Sequence, residues 1–299
     1  MRIGVNGGGG HRSLQTVRKQ ASEAARDEFA SYWLSQIFGV DALTALAVVA
    51  PDAPGIELGV AVVPTYPRHP SALAVQALTV QDATGGRLVL GIGPSHAAIV
   101  QGLWGYSFDR PYTHTREYLS ALQTLLRGEA VDLVGEQVHV RGRVNTQAPP
   151  PVVLVAGLGP RMLELAGGEA DGTVTWMCGV ETVIGHIAPG VRAAAERAGR
   201  PEPRLVVGLP VCVTDEPERA RAHAAEKLAV YGGLPSYRAM LDREGVSGPE
   251  GIAVIGREEE VSERLDALAA AGATDLRATT LDPTPEDAAR TRALLKSRL

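Results

Sequence analysis

Cysteine is almost missing from this sequence. Cys178 and Cys212 are the only two in 299 residues, too few for a disulfide scaffold, so a reducing setting is expected. Aromatic residues make up only 4% of the chain, which leaves little material for an aromatic substrate cage. Lysine occurs only at positions 19, 227 and 296, and acidic residues outnumber basic ones, for a net charge of −5. That sign removes the basic field on which nucleic-acid binding depends. No apolar run approaches the ~18 residues that a membrane-spanning helix needs. Met1-Arg2-Ile3-Gly4-Val5 leads directly into a strand-like segment, so no signal peptide and a cytoplasmic location are expected. What is present is a 45% hydrophobic chain with 34 glycines, too apolar for disorder.

The dominant pattern is a short apolar strand followed by an amphipathic helix. Eight strands are predicted: Arg2–Gly7, Phe29–Gln36, Ile56–Pro64, Arg87–Gly93, Val152–Ala156, Gly172–Met177, Leu205–Val213 and Asp275–Thr280. Several, such as Ile56–Pro64, are nearly all apolar, as parallel strands covered on both faces must be. Helices between them carry start signals, Asp41 before one and Thr284-Pro285-Glu286-Asp287 before the last. The rhythm breaks once, where Val131–Val140 alternates around Gly135-Glu136 and reads as a hairpin insertion at about 130–141. Eight βα repeats over this length predict one (β/α)8 TIM barrel domain spanning 1–299. A doubly wound open sheet would need fewer strands and a switch point, which nothing here marks.

A barrel places its active site at the carboxyl ends of the strands. That selects Asn6–His11, Ser35-Gln36, Val62–His69, Pro94–His96, Gly157–Arg161, Trp176–Gly179 and Thr279-Thr280. Gly157-Leu158-Gly159-Pro160-Arg161 is the sharpest of these. Glycines after a buried strand allow close backbone approach, the next helix offers free N–H groups to a phosphate, and Arg161 can add charge. Neither glycine cluster fits a dinucleotide fingerprint, because Met162 stands where the third glycine belongs and Gly7–Gly10 runs into His11-Arg12. Gly93-Pro94-Ser95-His96-Ala97 is one residue short of a nucleophile elbow, so a serine hydrolase using Ser95 is a rival reading. No convincing acid-then-histidine order follows it, the last histidine being His223. His11, His69 and His96 fall at strand ends, where a general acid belongs. His114, His139, His186 and His223 read as surface residues. Without H-E-x-x-H or Cys-x-x-Cys, no metal site is expected. Trp176 would pack in the core or form a ring-stacking wall.

At these residues the sequence resembles the bacterial luciferase-like monooxygenase superfamily, in particular its coenzyme F420-dependent oxidoreductases. The motifs are Gly59-Val60-Ala61-Val62-Val63-Pro64-Thr65-Tyr66-Pro67-Arg68-His69-Pro70, Gly91-Ile92-Gly93-Pro94-Ser95, Ala156-Gly157-Leu158-Gly159-Pro160-Arg161, and the Glu258–Ala271 helix leading into Thr274-Asp275-Leu276. The resemblance implies a deazaflavin lying across the mouth of the barrel. A bulge with a non-prolyl cis bond would back its ring at Ala61-Val62-Val63. Pro94-Ser95-His96 would lie beside the ring, and Gly157–Pro160 would match the phosphate turn. One departure is plain: many such enzymes carry an acid and a histidine at the end of strand two, where Ser35-Gln36-Ile37-Phe38 stand here.

The resulting expectation is an F420-dependent oxidoreductase exchanging hydride with a small-molecule substrate. Gln36, His96 and His11 are expected near the reacting centre. Ala61, Val62, Val63, Pro94, Ser95, Ala156, Gly157, Leu158, Gly159, Pro160, Arg161 and Trp176 are expected to hold the cofactor. The alternatives are an FMN-dependent monooxygenase on the same fold and a ligand-binding barrel without activity. No nucleic-acid or membrane partner is expected, and a homodimer is the assembly left open.

Overall fold

The computed structural model describes residues 1–299. Eight parallel strands close into a ring: β1 (Arg2–Gly8), β2 (Ser31–Leu34), β3 (Glu57–Pro64), β4 (Leu88–Gly93), β5 (Val152–Val155), β6 (Gly172–Trp176), β7 (Arg204–Val213) and β8 (Asp275–Thr280). First and last strands pair in register from Arg2↔Asp275 to Val5↔Ala278, which is what closure requires and an open sheet cannot supply. The TIM barrel expected from the sequence is therefore present, with helices outside every wall. A short strand missed by the sequence reading, Val254–Gly256, pairs with the outer end of β7. The insertion is an antiparallel hairpin, Val131–Val134 with His139–Gly142. The Glu117 carboxylate holds its turn by accepting the N–H groups of Glu136, Gln137 and Val138 at 3.0, 2.8 and 3.0 Å. No helix is long and apolar enough to cross a membrane.

The two start signals behave as read. Asp41 accepts from the Thr44 N–H at 2.8 Å, and Thr284 accepts from that of Asp287 at 3.1 Å, each satisfying a free amide at a helix start. Most apolar side chains pack between strands and helices, and both cysteines are free and buried there.

The barrel interior is a separate, layered core. At the amino end, Arg204 is clasped by Asp275 at 2.6 and 2.9 Å and by Glu57 at 2.6 Å. Above that polar plug sit Trp33, Val89, Leu154, Val174 and Val206. Trp33 fills the centre because its neighbours have no side chains: a Cβ on Gly59 would fall 2.1 Å from the indole. Its Nε1 donates to Ser31 Oγ at 2.7 Å, so the one polar atom in this layer is satisfied. The plug closes the barrel interior from the amino end, so the interior opens at the carboxyl-terminal mouth.

Candidate active site at the barrel mouth

The turn after β5 leaves several backbone donors open. Helix Pro160–Gly168 starts at Gly159, with Pro160 in its first turn and no side-chain cap. The N–H groups of Gly157, Leu158, Gly159 and Arg161 have no hydrogen-bond partner in the chain. A Cβ on Gly157 would meet Met162 at 2.8 Å, so that glycine lets the turn pack against its own helix. A Cβ on Gly159 would meet nothing within 4 Å: it faces an open cradle. His186 Nε2 donates to the Leu158 carbonyl at 2.7 Å, which ties the turn to the helical segment after β6. Arg161 is exposed and stacks over the Tyr112 ring at 3.9 Å, which leaves its N–H edge free.

Between this turn and the opposite wall lies an apolar shelf. A cis peptide joins Ala61 and Val62, and the β3–β4 register shifts between Val60 and Val63, as the resemblance implied. Ala61, Val62 and Ala156 are half-buried and cap the interior core. Gly93 keeps them close, since a Cβ there would lie 3.1 Å from both Val62 and Ala156. Val63, expected on this shelf, faces the outer, helix-side core and is fully buried. Beside the shelf are Pro94, Ser95 and His96, all half-buried, with Ser95 at φ 65 in the left-handed region. Such backbone conformations are uncommon outside glycine and gather at functional sites. No histidine hydrogen-bonds Ser95 Oγ, so the contact that activates a serine nucleophile is missing.

Across the mouth, β6 and two helices outside the βα repeat supply rings. Trp176 meets Tyr231 edge-on at 5.8 Å, Tyr231 meets Tyr237 at 5.4 Å, and Tyr237 meets His96 at 5.2 Å. The low aromatic content suggested that no such cage would form. Composition averages over the chain, whereas helices Pro217–Gly232 and Pro235–Glu244 fold back and bring their tyrosines to one place. Burial pushes the His96 imidazole below its usual 6.5, which favours the neutral ring.

A second correction concerns His114, read from the sequence as a surface residue. Helix Pro111–Leu126 turns it inward, to 7% exposure. It stacks on Tyr66 with centroids 3.9 Å apart and shares a 3.0 Å hydrogen bond with Thr65 Oγ1. Burial lowers its pKa from 6.5 to about 4, with Glu117 opposing. The unfolded chain therefore binds a proton here that the folded chain refuses. This stabilising contribution is complete above pH 6.5 and is lost as pH falls towards about 4. His96 adds a component of the same sign. His114→Gln should shrink the stability difference between neutral pH and pH ~5 in urea unfolding. An undiminished difference would show that the ring is not held neutral.

The remaining candidates separate. Gln36 accepts the Ala42 N–H at 2.7 Å and donates to Ile37 O at 3.3 Å, so its amide is occupied by its own loop. His11 lies against the same loop, its carbonyl accepting from Val40 N at 2.9 Å, with Nε2 buried and unpartnered. His69 uses both ring nitrogens structurally, accepting from Ser71 N and donating to His139 O.

A family model described as luciferase-like monooxygenase matches residues 1–275. The chain belongs to that family. Among curated relatives, 5,10-methylenetetrahydromethanopterin reductase of Methanolobus tindarius is 29% identical over 248 residues, covering 80% of this chain and 74% of that one. A Mycobacterium tuberculosis protein named as a coenzyme F420-dependent oxidoreductase is 26% identical over 290 residues, covering 85% and 82%. The solved coenzyme F420-dependent tetrahydromethanopterin reductase of Methanopyrus kandleri superposes with a TM-score of 0.80 at 18% identity, over 99% and 96% of the two chains. At that identity the superposition speaks for the fold.

Sequence reasoning passed over several residues that this luciferase-like barrel brings to its mouth: Tyr66, His114, Tyr231, Tyr237 and above all Arg277. Tyr231 and Tyr237 carry no local signal, because they arrive on helices outside the βα repeat. Arg277 did carry one. In Asp275-Leu276-Arg277-Ala278-Thr279 the polar residues alternate, which in a strand places all three on one face.

Proposed function

We propose that this luciferase-like oxidoreductase binds coenzyme F420 across the mouth of its barrel and exchanges a hydride between the deazaflavin and a small organic substrate. The observation that carries the reading is the turn after β5, with open N–H groups and an open cradle at Gly159. Its kinship with a mycobacterial protein named for F420 dependence supports the same cofactor. When bound, the deazaflavin supplies the redox chemistry at its ring; the chain supplies orientation, desolvation and a proton path. The N–H groups of Leu158, Gly159 and Arg161 hold the phosphate at the start of helix Pro160–Gly168. Ala61, Val62 and Ala156 give the ring a flat apolar support. Trp176, Tyr231 and Tyr237 exclude water from the reacting face. His96, neutral at physiological pH and half-buried, can take or give one proton at a ring nitrogen. Gln36 acts through its loop.

The family's description as a monooxygenase keeps reduced FMN as the second reading, since it needs the same phosphate turn and shelf. Titration of the purified protein with F420 and with FMN, followed by cofactor fluorescence, separates the two. Saturable F420 binding with weaker FMN binding is expected. The reverse order would move the assignment to the flavin monooxygenases, and no binding of either would overturn both.

A further inference from the structure

Two arginines point into this barrel, and they are treated in opposite ways. Arg204, at the plugged end, is matched by two carboxylates. Arg277, two residues beyond Asp275 on β8, is 2% exposed, forms no ion pair, and has Nε and Nη1 buried without a partner. It is no accident of loose packing. The residue opposite it in register on β7 is Gly208, where a Cβ would sit 2.6 Å from Arg277 Nη2, so the wall is cut away to admit the guanidinium. The Trp176 ring lies 5.3 Å from its central carbon, and the Trp176 Nε1 is a second buried donor without an acceptor. Tyr231 meets that Trp176 ring edge-on, and Tyr237 meets Tyr231 in turn. A lone buried cation is costly, and one aromatic face offsets only part of that cost.

We propose that Arg277 is a specificity-determining residue that receives the carboxylate of a small anionic substrate at the barrel mouth. The identification of that ligand as substrate rests on the oxidoreductase reading above. A carboxylate is acceptor-only and planar, which suits a place where Arg277 Nε and Nη1 and Trp176 Nε1 are donors without a partner. The Nε and Nη2 edge lies against the wall at Gly208, so the unpartnered Nη1 is the donor turned from that wall, and no hydrogen bond of Arg277 would have to break for a carboxylate to take it. The cofactor's phosphate is served elsewhere. The free N–H groups follow β5, three strands around the ring from β8, and have their own arginine in Arg161.

The test titrates the full-length protein calorimetrically with acetate, benzoate and inorganic phosphate, with and without saturating F420, in wild type, Arg277→Met and Arg277→Lys. Wild type is expected to bind the carboxylates in preference to phosphate. Arg277→Met should weaken them at least about tenfold, as when a charged hydrogen-bond partner is removed. Arg277→Lys should fall between, keeping the charge and losing the fork. F420 affinity should stay the same in both variants. Arg277→Met should also raise the melting midpoint of the cofactor-free protein, because a lone buried charge gives way to an apolar chain of similar volume. A lowered midpoint would make Arg277 structural and overturn the proposal. So would unchanged carboxylate affinity in Arg277→Met, or no binding of either carboxylate to wild type. Preference for phosphate would replace the carboxylate by a phosphoryl group, and loss of F420 affinity with carboxylate binding retained would give the site to the cofactor. Should F420 fail to bind any form while benzoate still depends on Arg277, the cofactor reading falls and the anion site stands.

Discussion

Gly159→Val is expected to abolish tight F420 binding while leaving the barrel folded. The fold should survive because Gly159 has φ −82 and ψ 157, a region open to valine, and its Cβ would point into empty space. Binding should not survive, because that same space is where a phosphate must come to reach the N–H groups of Leu158, Gly159 and Arg161. Hydrogen bonds to a charged group contribute ~1.5–3 kcal/mol each, so losing two weakens binding by roughly a hundredfold to ten-thousandfold. Arg161→Ala is the graded companion. The guanidinium is pre-placed over Tyr112, and its loss should weaken F420 about ten- to a hundredfold. Fluorescence titration reads both, and circular dichroism checks the fold. Normal affinity in the valine variant would reduce the turn to a structural connection.

Asp275→Ala should give the largest loss of stability among these variants. Asp275 is 1% exposed and meets Arg204 through two hydrogen bonds, at 2.6 and 2.9 Å, while accepting from Thr274 Oγ1 at 2.7 Å. Removing it leaves a half-neutralised guanidinium inside the barrel. Breaking a buried pair typically costs ~3–5 kcal/mol, and the lower end applies because Glu57 still holds Arg204 at 2.6 Å. Replacing Glu57, Arg204 and Asp275 together by apolar residues of similar volume should cost far less, since the desolvation penalty leaves with the attraction. Urea unfolding of the single and triple variants makes the comparison. A loss below about 1 kcal/mol in Asp275→Ala would mean that water enters the plug and screens it.

Local chemistry was enough to read the eight barrel strands, because most of them write a short apolar run closed by glycine or proline; helix Ala42–Val49 is as apolar, but Asp41 caps its start. Val60–Val63 and Leu88–Ile92 are examples, and Asp41 and Thr284 announced their helices by the same logic of unpaired amides. The glycine turn at Gly157–Gly159 was legible too, since a glycine pair between a buried strand and a proline-started helix has few other uses. His114 was misread because helix Pro111–Leu126 begins ahead of the apolar residues that mark its inner face; one turn before Tyr118, His114 shares that face. Gln36 was legible as a residue at a strand end, but its engagement with Ala42 depended on the path of the loop.

By itself, then, the sequence determined the repeating βα units, their number and the glycine turn with open amides, because these follow from neighbours within a few residues. Tertiary structure decided what meets across the mouth. Trp176, Tyr231, Tyr237, His96 and Arg277 come from distant parts of the chain, and only ring closure and the folded-back helices bring them together. It also decided which charges are matched. Asp275 and Arg277 share one face of one strand, yet the first finds Arg204 at the plugged end and the second reaches an end where no side chain answers it. The difference is register: a strand fixes the direction of its side chains, but the height at which each meets the opposite wall is set by the staggered closure of the whole barrel.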